Sequence, residues 1–203
     1  MTPTLFAGLI LFSSVTAFTP GPNNLLALAS GANYGYRRTL PHILGVCLGF
    51  AIMLFLVAAG LGRLFKAVPS AYLLLKYAAF AYLVYLAWKI ATSKSIGESR
   101  ENRETAKPIT FLGSAAFQWV NPKAWIASVT VVASFTVPET FWQSLCIGGA
   151  ANIILAFSAV STWALFGTIV KTWLSDPLRL RIFNVTMGVL LVVSILPSLW
   201  HPA

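Results

Sequence analysis

Thr4–Ser30, TLFAGLILFSSVTAFTPGPNNLLALAS, is apolar enough to enter a bilayer, yet it is broken inside, at Thr19-Pro20-Gly21-Pro22-Asn23-Asn24. Pro20 and Pro22 lack the backbone N–H and clash with the preceding turn, so an ordinary helix cannot run through them. Gly21 between them permits unusual dihedrals. Backbone groups left unpaired in hydrocarbon are costly, so such a break must face protein or a water-filled cavity. A second half-helix is expected to begin near Pro22 to Asn24. Its N-terminus offers free N–H groups and a partial positive charge, which suits a carboxylate. Asn23 and Asn24 add side-chain donors and acceptors. The competing reading is a kink used only for packing, with an Asn as its local cap.

Working outward, five more apolar segments follow: Pro41–Leu61, Ser70–Ile90, Phe111–Thr136, Phe141–Val170 and Leu178–Leu199. The breaks between segments fall at Gly31–Leu40, Gly62–Pro69, Ala91–Thr110, Val137–Thr140 and Lys171–Pro177. These runs are too continuously apolar for alternating barrel strands, so helices are the expected spans. The chain has 203 residues, 58% hydrophobic and 9% charged, with mean hydropathy +0.79. A soluble domain carries about 25% charged residues, so the solvent here is lipid. At about 20 residues per span the length allows roughly six, with no room for a soluble domain. The N-terminal apolar run has no Lys or Arg before Arg37, so it lacks the basic start of a signal peptide and counts as the first span.

The connection from Ala91 to Thr110 is long and polar. It carries Lys94, Arg100, Arg103 and Lys107 with Glu98, Glu101 and Glu104. It divides the chain into a first three-helix half, 1–91, a cytoplasmic connector, 92–110, and a second three-helix half, 111–203. Net charge is +9. Because the basic residues flank apolar runs, the charge speaks of topology rather than of nucleic acid. Loops one, three and five share a side, which holds Arg37, Arg38, Lys89, Lys94, Arg100, Arg103, Lys107, Lys171, Arg179 and Arg181. The other side holds Arg63 and Lys66. Positive-inside then puts both termini in the periplasm. Three spans per half means that the halves run in opposite directions. The expected fold is therefore all-α: a polytopic membrane protein of six transmembrane helices in two inverted halves.

The first helix of each half is broken. In the second half the break is Asn121-Pro122-Lys123. Paired interruptions in matching helices are the best sequence pointer to a transport site. Lys123 would lie well within the membrane, where a charge is functional by default. It would meet a substrate carboxylate or line a vestibule. The competing reading is a lysine that snorkels to the interface. Gln118, one turn earlier, would face the same cavity or make a helix–helix hydrogen bond. The candidate substrate-binding set is thus Pro20, Gly21, Pro22, Asn23, Asn24, Gln118, Asn121, Pro122 and Lys123.

Other residues read as scaffold. Lys76 lies near the outer end of its span, and Asn152 and Ser158 are read as helix-packing polar groups. Gly45-x-x-x-Gly49 matches the small-xxx-small pattern of close helix contact, within one chain or between two copies in a homodimer. Trp88, Trp142, Trp173 and Trp200 read as interfacial anchors. Asp and Glu occur only as Glu98, Glu101, Glu104, Glu139 and Asp176, in loops or at span ends. A metal pathway needs hard oxygen ligands and the usual proton relay needs Asp, Glu or His. His42 and His201 are placed near span ends. There is no metal-binding His pair, Walker loop or nucleophile triad, so neither an enzyme nor a cofactor is expected.

At these motifs the sequence resembles the LysE/RhtB family of amino-acid exporters. The resemblance rests on Thr19 to Leu25, Gly35-x-Arg37, Gly45 and Gly49, Ala81-Tyr82-Leu83 with Trp88-Lys89, and Asn121-Pro122-Lys123. It covers the whole chain. The opening Met1-Thr2-Pro3-Thr4 and Ala87-Trp88-Lys89-Ile90-Ala91-Thr92 look like the cysteine/O-acetylserine efflux subgroup. The resemblance implies efflux of amino acids or derivatives across the bacterial inner membrane, with protons as the coupling ion. Many members carry Asp where this chain has Asn23, and small residues where it has Phe80. Two other classes compete. Cys47 and Cys146, in the second spans of the two halves, suggest thiol–disulfide transfer, although their apolar neighbours favour small buried hydrophobes. A non-transporting scaffold explains the spans but not the two breaks.

Overall fold

The computed structural model describes residues 1–60, 69–92, 108–174 and 176–194. Among these the protein is all-helical: α1 Pro3–Phe18, α2 Pro22–Tyr34, α3 Tyr36–Ala58, α4 Pro69–Ala91, α5 Phe111–Gln118, α6 Pro122–Phe135, α7 Phe141–Trp173 and α8 Pro177–Val193. A short 3-10 turn, Pro138–Thr140, leads into α7. Most of the connector lies outside the described residues, with Lys94, Arg100, Arg103, Lys107, Glu98, Glu101 and Glu104, as do Arg63, Lys66, Trp200 and His201.

Prolines set several boundaries. Pro3, Pro22, Pro122 and Pro177 each open a helix, where a missing N–H costs nothing. The residue before a proline is driven into extended backbone. Thr19 (φ −64°, ψ 147°), Gly21 (φ −176°, ψ 174°) and Asn121 (φ −90°, ψ 107°) obey this and make both breaks. Gly21 is therefore in a conformation any residue adopts. The expectation that it supplies unusual dihedrals is corrected: a Cβ there would sit 3.0 Å from Lys123 Cδ and 3.2 Å from Nζ, so its role is to leave room for that side chain.

The connection expected over Gly31–Leu40 is also corrected. Helix continues on both sides of a single residue, Gly35, which ends α2 and begins α3 at φ +84°. Only a residue without Cβ takes that left-handed turn cheaply. Other segments keep their places. α4 matches its prediction within a residue at each end, and α7 extends three residues beyond Val170.

Among the described residues, two helices are long and apolar enough to cross a membrane, Tyr36–Ala58 and Pro138–Trp173 with its leading turn. α1 and α2 meet the same standard together, bent by 52° at the break. At the centre is α2, buried from Asn24 to Ala32. It packs on α7, α3 and α8. Its crossing with α7 is made by glycine: a Cβ on Gly31 would strike the Ala164 carbonyl, and one on Gly167 the Leu28 carbonyl. α3 crosses α5 in the same way. Cβ atoms on Gly45 and Gly49 would strike the carbonyls of Phe111 and Ala115. The Gly45-x-x-x-Gly49 motif thus makes a contact within one chain. Large apolar side chains on the outer faces, among them Leu11, Leu112, Ile126 and Ile154, are exposed as in a lipid-facing surface.

Candidate functional site

A helix that stops leaves its last carbonyls without partners, and each one at the end of α1 is accounted for. Val15's carbonyl accepts the Thr19 N–H at 3.1 Å. Thr16's accepts the Thr19 hydroxyl at 3.2 Å. Ala17's and Thr19's both accept Asn24 Nδ2, each at 2.8 Å. Phe18's accepts Trp163 Nε1 at 3.1 Å. Lys123 Nζ adds a 2.7 Å bond to the Thr19 carbonyl and a 2.9 Å bond to its hydroxyl. The carbonyls four residues before Pro20 and Pro22 are those of Thr16 and Phe18. Both are occupied by the protein's own donors, so a substrate ammonium group does not find them bare.

Across the break the situation is reversed. α2 starts at Gly21 with no side-chain cap. Leu25 donates its N–H to the Gly21 carbonyl, while the N–H groups of Asn23 and Asn24 close no hydrogen bond among the described residues. An open helix N-terminus attracts anions, and the Lys123 side chain runs across Gly21 beside it. The second break is closed by comparison. Asn121 caps α6 through a 3.1 Å bond from the Lys123 N–H, and Trp125 Nε1 donates to the Trp119 carbonyl at 2.9 Å.

An amide pair joins the two breaks. Asn23 Nδ2 donates to Gln118 Oε1 at 2.9 Å, and Gln118 Nε2 donates back to Asn23 Oδ1 at 3.3 Å. Gln118 Nε2 also reaches the Ser114 carbonyl at 3.2 Å. Both readings of Gln118 therefore hold: it makes a helix–helix hydrogen bond and lines the cavity.

That cavity is about 80 Å³. About 10–15 Å³ on this scale holds one water, so the space matches a small amino acid rather than a peptide. Gly21, Asn23, Asn24, Gln118, Asn121 and Lys123 line it. Pro20, Pro22 and Pro122 shape the breaks without lining the cavity. Lys123 does not snorkel outward; it spans from α6 to the end of α1. Sequence reasoning missed Ser13, Thr16 and Asn152, which also line the cavity. Ser13, Thr16 and Ala17 share one face of α1 at helical spacing, and polar residues on that face leading into the break were the available signal. Asn152, read as a packing residue, faces the cavity while its Nδ2 bonds the Gly148 carbonyl at 2.9 Å. Ser158 bonds back to Ile154 and is local. Both cysteines are free: Cys47 is buried and Cys146 exposed.

No solved structure matches the chain significantly. Cysteine/O-acetylserine efflux proteins of Escherichia coli strain K12 and of Shigella sonnei strain Ss046 are each 40% identical over 170 residues, covering 82% of this chain and 84% of theirs. That of Escherichia coli O6:K15:H31 is 39% identical over the same length. The family model for the LysE type translocator matches residues 14–194. With both breaks and the amide pair that joins them inside that match, the chain belongs to the LysE type translocator family.

Proposed function

We propose that this protein exports a small neutral amino acid or derivative, of the cysteine or O-acetylserine kind, across the bacterial inner membrane. The carrying observation is the cavity between two broken helices, with the open N-terminus of α2 and Lys123 on one wall. A zwitterion's carboxylate lies against the Asn23 and Asn24 N–H groups and draws Lys123 Nζ from Thr19. Asparagine at position 23 receives it without adding a buried negative charge. The relatives, named as cysteine/O-acetylserine efflux proteins, support this substrate class.

The transport cycle is alternating access between two inverted three-helix halves, coupled to protons, with both termini periplasmic. Packing supports the halves. α3 packs on α5 and α6, while α7 packs on α2 and α1; α3 meets α7, and α4 meets α8. Exchanging one half for the other maps these pairs onto each other. The direct test is efflux of labelled cysteine, under reductant, from loaded proteoliposomes with and without a pH gradient. Asn23→Ala and Lys123→Ala are each expected to slow it severely; normal efflux in both would remove the site.

A further inference from the structure

The apolar spans hold no carboxylate to carry a proton, but they hold a histidine. His42 lies on α3, two turns in, and is 0% exposed. Its Nδ1 is 2.7 Å from Ser114 Oγ on α5. Its Nε2 is buried and has no partner at full hydrogen-bond geometry among the described residues, while the Asn23 backbone lies within hydrogen-bonding reach of the ring. Ser114 is also 0% exposed, and its carbonyl accepts Gln118 Nε2. Gln118 in turn is paired with Asn23. The ring therefore sits directly behind the amide pair that joins the two breaks. Gly45, one turn after His42, makes this possible by bringing α3 onto α5, with Ser114 Cβ at 2.8 Å from the place of a Cβ.

Among the described residues no charge partner is at hand. The helices packed on α3 are α2, α5, α6 and α7, and none carries Asp or Glu. Their titratable side chains are Tyr34 on α2, Lys123 on α6, and Cys146 and Lys171 on α7; α3 itself adds Tyr36, Arg37, Arg38 and Cys47. A neutral imidazole has one donor and one acceptor nitrogen, and Ser114 serves either. Imidazolium has two donors, and the second needs an acceptor. The Asn23 backbone, which meets the ring, offers one, so the protonation of the ring is tied to the position of the α2 break.

We propose that His42 is the proton-carrying side chain of this exporter. Nε2 takes one proton from the periplasmic side when the Asn23–Gln118 pair opens, and returns it to the cytoplasmic side when the pair closes on substrate. This rests on the proton-coupled reading above. An imidazole in contact with water changes charge near physiological pH, so the buried neutral ring takes its proton only when the opened site exposes it.

The test uses the full-length protein in proteoliposomes with labelled cysteine under reductant, and compares two fluxes. Counterflow exchanges substrate for substrate without a pH gradient. Gradient-driven accumulation requires the proton. In His42→Gln, counterflow is retained and gradient-driven accumulation falls by a factor of roughly 5–150, the usual range of coupling between two sites. Ser114→Ala keeps the ring but removes its partner, and moves the pH midpoint of accumulation. Unchanged gradient-driven accumulation in His42→Gln overturns the proposal. So does an equal loss of both fluxes in both variants, which marks a packing role. A parent protein that exports cysteine with no response to the gradient refutes proton coupling itself, and is read before either variant.

Discussion

Asn24 and Lys123 share one acceptor, the Thr19 carbonyl, and that sharing fixes a measurable energy. In Asn24→Ala the Ala17 carbonyl loses its side-chain donor, at about 1–3 kcal/mol for an unsatisfied buried group. The Thr19 carbonyl keeps Lys123 at 2.7 Å, so its loss is an ordinary net hydrogen bond of about 0.5–1.5 kcal/mol. The single variant is expected to lose roughly 1.5–4.5 kcal/mol. Lys123→Met keeps the apolar stem. The Thr19 carbonyl retains Asn24 at 2.8 Å, and removing a cation from a low-dielectric wall offsets part of the loss, leaving about 0–2 kcal/mol. With both donors gone, the Thr19 carbonyl is bare. The double variant should therefore lose about 1–2 kcal/mol more than the singles combined. Denaturant titration in mixed micelles, followed by tryptophan fluorescence, measures all four corners of the cycle. Additivity within about 0.3–0.5 kcal/mol would refute the shared acceptor and, with it, the account of how the break is held.

Three further outcomes follow from the same geometry. Gly21→Ala meets only the end of the flexible Lys123 chain in extended backbone, so thermal stability should change by less than about 1 kcal/mol while cysteine efflux falls. Gly31→Ala drives a Cβ into the α7 backbone at Ala164 and should destabilise by about 1–3 kcal/mol or more; Gly8→Ala, which meets Phe135 Cε1 at an ordinary 3.4 Å, should stay within about 0.5 kcal/mol in the same unfolding assay. The Cys47→Ser, Cys146→Ser double variant should export at the parental rate; lost efflux would revive thiol–disulfide transfer.

Breaks were the most legible part of this chain. Proline chemistry acts within a residue or two, so the breaks at Thr19 to Asn24 and Asn121 to Lys123 disclosed their positions in the sequence alone. Segment lengths were legible for the same local reason. The turn at Gly35 was not, because ten residues of mixed polarity look like a loop unless one knows that a single left-handed glycine suffices. Partner identity was the least legible. That Gln118 meets Asn23, or that Trp163 reaches the Phe18 carbonyl, depends on which helices lie side by side. His42 shows the point most clearly: seven residues into α3 it reads as a span end, yet packing from α5 excludes it from every surface.

The hydrogen bonds that close the end of α1 also bear on how the protein is made. Their donors come from α2, α6 and α7. During synthesis α1 and α2 reach the bilayer before α6 and α7 exist. Until then the Phe18 carbonyl has no indole to bond, and Thr19 lacks half its donors. Backbone groups in that condition are poorly tolerated in lipid, so the nascent first break must wait in the insertion machinery, or beside water, for the later helices. A truncated chain ending before Trp163 would keep every apolar residue of its early spans and still be an incomplete membrane protein. Pairing at the first break is thus completed only when the late helices arrive.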